Sequence, residues 1–154
     1  MTPKDELPLA LRTAYLTLHR RSDAVFAEHG ITADQFVLLA NLSRGQAMTQ
    51  RELAVRMPSD PSTVRGMLVL LEKQGLVTRE AHPTDARART VSLTKAGART
   101  FQKAFDAGQE VRDQMAESLG AGETRTLVSL LQRMTESLRE RVTELATAAA
   151  ENPE

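Results

Sequence analysis

Between Thr49 and Gly97 the chain reads TQRELAVRMPSDPSTVRGMLVLLEKQGLVTREAHPTDARARTVSLTKAG, and no other stretch limits its fold so tightly. It opens with Thr49 and Glu52 in capping-box spacing, where each side chain satisfies the other residue's free backbone N–H. Met48 and Leu53 stand where a hydrophobic staple needs them. The helix begun there is short, because it stops before Pro58. Asp60 is the next cap, with Pro61 at the first helical position, where a missing N–H costs nothing. Val64, Met67, Leu68 and Leu71 form one buried stripe as far as Gln74, and Gly75 closes the helix. Ser62, Thr63, Arg65 and Gly66 fall largely off that stripe, near the exposed end. The period then changes to two. Val91 and Leu93 alternate with Thr90, Ser92 and Thr94, which reads as a half-buried strand paired with Leu76–Glu80 across the tip AHPTDARAR.

Two short helices joined by a turn and followed by a hairpin with a basic tip make the layout of a winged helix-turn-helix. Such a unit places one helix in a DNA major groove and a basic loop beside it. Charge agrees with this layout. The whole chain is balanced, with 20 Lys+Arg against 20 Asp+Glu, yet residues 43–99 hold ten basic and five acidic residues, a local +5. A basic block inside a neutral chain is the footprint of phosphate contact, although an excess of charge alone is equally an ordinary solvated face.

The flanking segments read as helices. The first is expected over residues 7–29, beginning near Pro8 and closing at Gly30, with Leu11, Tyr15, Leu18, Val25 and Phe26 on one stripe. The second starts at the Thr32–Gln35 capping box, with Ile31 and Phe36 as its staple. Val37, Leu39, Ala40 and Leu42 then continue its apolar side, and it fades around 43–45. After the hairpin a fifth helix is expected over 95–119, carrying Phe101, Phe105, Val111, Met115 and Leu119, broken by Gly120 and Gly122. The sixth, over 123–148, has the clearest seam in the chain: Leu127, Leu131, Met134, Leu138, Val142 and Leu145. Two readings of that seam stand side by side, as internal core and as an interface with a second copy built together with the first helix. The alanine-rich tail ATAAAENPE is expected to fray.

Composition excludes several function classes. At 154 residues, 41% apolar and 26% charged, the chain is expected to be one globular domain. Without cysteine it has no disulfide framework, no thiolate zinc site and no thiol peroxide sensor. Aromatic residues are 3% of the chain, too few for a stacking platform on single-stranded nucleic acid. No apolar run is long enough to span a bilayer and the N-terminus lacks a signal-peptide pattern, so a cytoplasmic protein with no membrane partner is expected. There is no P-loop, no dinucleotide fingerprint and no nucleophile elbow. His19, His29 and His82 are far apart and lack zinc-ligand spacing, so no metal, no cofactor and no enzymatic activity are expected.

The phrases TQRELAVRM, DPSTVRGMLVLLEKQGLVTRE and HPTDARARTVSLTKAG, in this order, resemble the MarR family of bacterial transcriptional regulators. The pair Asp85 and Arg87 matches the D-x-R of that family's wing. The likeness is specific around residues 49–97 and architectural over the rest. It implies a mainly α fold of six helices with a small β-hairpin wing, dimerised by its N- and C-terminal helices. Residues 31–97 would form the DNA-binding lobe, and 5–30 and 98–148 the dimerisation helices.

By the same resemblance, the partners are double-stranded operator DNA and a second copy of the chain. The operator would be pseudo-palindromic. Ser62, Thr63 and Arg65 would face the major groove, with Arg65 able to take a guanine O6/N7 pair bidentately. Arg87 would enter the minor groove, with Asp85 orienting the loop and Arg89 beside it. Thr49, Gln50 and Arg51 would contact phosphate. Plainer alternatives remain at this point. Arg65 could pair with Asp60 or Asp85, and Arg87 and Arg89 could be solubility charges.

The chain departs from the family at Val69 and Leu70, where many relatives carry an Asp-Arg pair, so no contact is assigned there. Leu11 and the seam from Leu127 to Leu145 would form the dimer interface. Tyr15, His19, Phe36, Phe101 and Arg112 are the candidate lining for a small aromatic acid or its thioester, whose binding would release a repressor from its operator. A constitutive or activating regulator without an effector is the alternative. A protein-interaction module is disfavoured by the basic wing, and an enzyme by the absence of any catalytic constellation.

Overall fold

The computed structural model describes residues 1–85 and 87–151. Its elements run α1 (Pro3–Ala27), α2 (Ala33–Leu42), β1 (Met48–Thr49), α3 (Gln50–Arg56), α4 (Pro61–Lys73), β2 (Val77–Ala81) and β3 (Arg89–Leu93). They continue with α5 (Lys95–Ala107), α6 (Gln109–Glu117) and α7 (Glu123–Glu151). The helix expected over 95–119 is thus one path interrupted at Gly108, which divides it into α5 and α6. The contacts group the chain into two compact units, residues 1–111 and 112–154.

Local signals fix most helix starts in the first unit. Thr32 N–H donates to the Gln35 amide oxygen at 3.0 Å, and Gln35 N–H donates to the Thr32 hydroxyl at 3.0 Å. The same box repeats at Thr49 and Glu52, at 3.3 and 3.1 Å. Gln35 is the buried polar side chain of the core, and its oxygen is committed to this cap. Gly30, Gly45 and Gly75 adopt positive φ where α1, α2 and α4 give way to turns.

Two expectations need correction. The first helix does not start near Pro8. Thr2 N–H and the Thr2 hydroxyl both donate to the Asp5 carboxylate, at 2.9 and 2.7 Å, and Pro3 occupies the first helical position. Pro8 lies inside the helix and costs it one bond to the Lys4 carbonyl. Water can replace that bond because the segment is exposed. In α2 the buried stripe is Leu38, Leu39 and Leu42, whereas Val37, expected on it, points outward.

The core lies entirely in the first unit. Leu38, Leu39, Leu53, Val64, Leu68 and Leu71 are fully buried, joined by Val77 and Val91 from the hairpin and Ala104 from α5. Each such leucine contributes roughly 1.5–3 kcal/mol by leaving water. Asp23 of α1 accepts the Ala33 N–H at 2.7 Å, and the Gln74 amide donates to the Gly30 carbonyl at 3.1 Å, tying α1, α2 and α4 at their ends.

The sheet has three antiparallel strands in the order β1-β3-β2, one more than the sequence suggested. β2 pairs with β3 from Val77↔Leu93 to Ala81↔Arg89, and β1 adds Met48↔Val91 and Thr49↔Thr90. Thr49 is therefore both a strand residue and the cap of α3.

In the second unit α7 is a 29-residue helix with no buried residue. Leu127, Leu138, Val142 and Leu145 are exposed along it, while Leu131 and Met134 are half-buried. The tail expected to fray continues as helix to Glu151, and Asn152–Glu154 lie outside the described residues. No helix among the described residues is long and apolar enough to cross a membrane.

Candidate nucleic-acid interface

α4 turns Val64, Leu68 and Leu71 into the core, so its opposite face is left to solvent. Asp60 caps it by accepting the Thr63 N–H at 2.9 Å. The same carboxylate accepts the Ser62 hydroxyl at 2.7 Å and the Thr63 hydroxyl at 2.6 Å. The Thr63 hydroxyl first, then the Ser62 hydroxyl and the Thr63 N–H, hold the Asp60 carboxyl well below the usual carboxylate range. Both hydroxyls thus spend their protons on the cap and present lone pairs outward. Arg65, one turn on, is exposed and makes no ion pair with Asp60 or Asp85 among the described residues. Val69 and Leu70 are also exposed, at 38% and 53%. Gly66 lies between these positions and Ser62, and a Cβ built on it meets nothing within 4 Å.

The wing is braced from beneath. Arg79 of β2 donates from Nε and Nη2 to the two carboxylate oxygens of Glu72, both at 3.1 Å. A longer contact of 3.5 Å runs from its Nη1 to the Gln50 amide oxygen. This fork joins α4, β2 and α3. The hydrogen bonds from Arg79 lower the Glu72 carboxyl, and the same bonds raise the guanidinium. Arg79 is accordingly a strut and is not among the solvent-facing arginines of the hairpin.

At the tip, the Asp85 carboxylate accepts the Arg87 N–H at 3.0 Å, an Asx turn that fixes where the Arg87 side chain leaves the backbone. The His82 N–H donates to the Ala88 carbonyl at 3.1 Å and closes the neck, and His82 Nδ1 accepts the Thr84 N–H at 3.2 Å. Ala86, within this tip, lies outside the described residues.

Between the tip and the start of α3 is an open cleft of about 520 Å³ lined by Thr49, Gln50, Arg51, His82, Asp85, Arg87, Ala88 and Arg89. The strand pairing of β1 with β3 brings these two segments together. Three arginines face it against a single carboxylate, which is already occupied by the tip. The cleft suits an anion without a buried counter-charge. Six of these eight residues are candidates on the sequence alone, and His82 and Ala88 are not. Both are placed by the hairpin register, since Ala81 opposite Arg89 puts His82 and Ala88 at the neck.

The residues expected to line a ligand site are arranged differently. Phe26, Phe36 and Phe101 stack at ring-centroid distances of 4.3 and 5.4 Å, with Phe105 a further 5.9 Å along. Phe36 and Phe101 pack directly on the core. Tyr15 is more than half exposed, its ring 5.7 Å from that of His19. His19 stands between two carboxylates, with Nδ1 3.3 Å from Asp23 and Nε2 3.4 Å from Asp34. No cluster of three metal-ligating side chains occurs among the described residues. Arg112 begins the second unit, on α6. Leu11 is exposed on α1.

The model of the MarR family matches residues 31–88. The HTH-type transcriptional repressor NicR of Pseudomonas putida is 30% identical over 131 residues, covering 82% of this chain and 80% of its own length. Among solved structures, the M. tuberculosis transcriptional regulator MOSR in complex with DNA is 29% identical. It superposes with a TM-score of 0.70 over 85% of this chain and 96% of that one. The transcriptional repressor CouR bound to a 23-mer DNA duplex is 26% identical, with a TM-score of 0.77 over 88% and 99%.

Proposed function

The chain belongs to the MarR family, and from that premise we propose that it is a sequence-specific DNA-binding transcriptional regulator whose lobe, residues 31–97, reads duplex DNA as a homodimer. The observation that carries this reading is the cleft joining Arg51 to Arg87 and Arg89, set beside a capped helix whose outer face is bare. In this reading Thr49, Gln50, Arg51 and Arg89 hold phosphates, Ser62, Thr63 and Arg65 face base edges, and Arg87, oriented by Asp85, enters the minor groove. NicR and CouR, both described as repressors, and the DNA complexes of CouR and MOSR support it.

Dimerisation would use residues 5–30 and 98–148. Leu11 and the seam of Leu127, Leu131, Met134, Leu138, Val142 and Leu145 supply the apolar surface. A helix of this length with no buried residue leaves such a stripe exposed in a lone chain, and exposed stripes of this kind mark association. Two-fold symmetry of the protein requires a pseudo-palindromic operator with half-sites about 10 base pairs apart.

Footprinting on the promoter regions nearest the gene is the direct test. Two symmetric protected half-sites are expected, and a single asymmetric patch would contradict the dimeric reading. Arg65→Ala should lower affinity for the cognate site by on the order of 1–3 kcal/mol and relax sequence preference. Arg87→Ala should weaken specific and bulk DNA more evenly.

The finer reading is a repressor released by a small anionic aromatic ligand or its thioester. Such a ligand must favour the DNA-incompetent state by several kcal/mol, on the order of 5 for a near-complete switch. One observation favours the alternative of a regulator without an effector. Phe36 and Phe101 are spent on a ring stack against the core, leaving Tyr15 and His19 as the accessible candidates of the first unit. Benzoates, hydroxycinnamates and their CoA esters that shift neither the melting temperature nor operator affinity would decide for that alternative.

A further inference from the structure

The outer face of α4 is not built like a polar readout surface. Taking Gly66 as its centre, Ser62, Thr63, Val69, Leu70 and Lys73 lie within roughly 60° around the helix axis. The core residues Val64, Leu68 and Leu71 lie on the other side. Two large apolar side chains are thus exposed on this face, Leu70 nearer its centre and Val69 at its edge beside Arg65, with Lys73 about one turn further along the helix.

Gly66 is harder to account for from within the protein. It has no positive φ, and a Cβ at this position would stand in open space. Neither packing nor backbone geometry calls for glycine, and glycine inside a helix is a cost to the free fold. What its missing side chain leaves is room for a close approach to the backbone from outside.

We infer that Gly66 lets the α4 backbone seat deep in a major groove, and that the exposed apolar pair Val69 and Leu70 reads thymine there through its 5-methyl group. The inference rests on the DNA-binding reading above and deepens it by assigning a base class to one apolar patch of the helix. The occupant is duplex DNA because the patch is small and apolar with Arg65 and Lys73 beside it, and the arginine-lined cleft lies on the same lobe. Thymine is the base whose groove edge carries a methyl group, and apolar side chains are the ones that meet it. The Ser62 and Thr63 hydroxyls, whose protons go to Asp60, complement it by accepting from adenine N6 or cytosine N4 amino groups. The operator half-site is therefore expected to place an A·T pair beside the base pair that Arg65 reads.

The test begins by selecting cognate duplexes from a random double-stranded library. Thymines of the selected half-site are then replaced one at a time by uracil, which removes only the methyl. At one position the native protein should lose about four-fold in affinity, the equivalent of one buried methyl group. The double variant Val69→Ala, Leu70→Ala should bind the thymine and uracil duplexes equally. Gly66→Ala should lower affinity for the selected duplex more than ten-fold while its melting temperature stays level or rises, which separates loss of approach from loss of fold. Full affinity in Gly66→Ala, or insensitivity to uracil at every position, would overturn the inference and leave the DNA-binding reading intact. Failure to enrich any duplex over bulk DNA would overturn both.

Discussion

Gly97→Ala tests the packing that holds the wing to the body of the lobe. Gly97 is the third residue of α5, and a Cβ there would overlap the Leu76 carbonyl oxygen and lie 2.9 Å from its carbon and 3.2 Å from Leu93 Cδ2. The leucine methyl can turn away, but the carbonyl cannot. Leu76 O accepts the Thr94 N–H at 3.1 Å, and the neighbouring Gly75 O accepts the Thr94 hydroxyl at 2.6 Å. To admit one methyl group, the start of α5 must retreat from the hairpin base and stretch both bonds.

Overpacking of this kind costs about 1–3 kcal/mol, and two weakened hydrogen bonds add about 1 kcal/mol each. The better helix propensity of alanine returns about 0.5–1 kcal/mol. A net loss of about 2–4 kcal/mol remains, which for a chain of this length is a fall in melting temperature of roughly 5–15 °C. Urea and thermal unfolding of native and Gly97→Ala protein measure it. Gly66→Ala is the matched control, because its new methyl group meets nothing and its unfolding midpoint should hold or rise slightly. A Gly97→Ala protein within about 0.5 kcal/mol of native stability would refute the reasoning, since that is the range of an ordinary surface change.

Other outcomes are open to measurement. Arg79→Met should shift the melting temperature by no more than a few degrees but weaken operator binding markedly, because the fork to Glu72 positions the wing; a double-mutant cycle with Glu72→Gln checks that the two act together. Asp60 has a folded-state pKa below its unfolded one. Its stabilisation is therefore complete above the ordinary carboxylate range and is lost as pH falls through the depressed folded value. Asp60→Asn, which caps without titrating, should flatten the fall in melting temperature below about pH 4. Light scattering at micromolar concentration should give about twice 16.9 kDa. Leu138→Asp should push the equilibrium toward monomer by placing an unpaired charge in the interface; a monomeric native protein would sink that reading.

Much of the lobe was legible in the sequence because its signals are local. Thr32 with Gln35, Thr49 with Glu52 and Asp60 with Pro61 each act within one turn of helix, and each cap forms as read. The errors have physical causes. Pro8 drew the helix start toward itself, although an exposed helix can lose one bond to water and the Thr2–Asp5 cap lies upstream. Val37 reads as buried where Leu38 is, because adjacent apolar residues leave the phase of a stripe undetermined by one position. β1 was invisible for another reason. It is two residues long, its partner is some forty residues away, and its second residue already carried a cap signal. At the candidate interface the arginines were nameable from composition, but their division was not. Nothing in the sequence separates Arg79, consumed by Glu72, from Arg87 and Arg89, which remain outside.

The double duty of Thr49 bears on how relatives of this lobe can diverge in length. It stands in the sheet opposite Thr90 while its N–H and hydroxyl, bonded to Glu52, start α3. A residue inserted at 43–47 falls in a loop and can be absorbed. One inserted between Met48 and Glu52 would shift either the strand by a full side-chain alternation or the helix by a hundred degrees, and Leu53 and Met48 cannot then both reach the core. Lineages are free to rewrite the chemistry around this point, but the spacing from Met48 to Leu53 is a ruler they cannot lengthen.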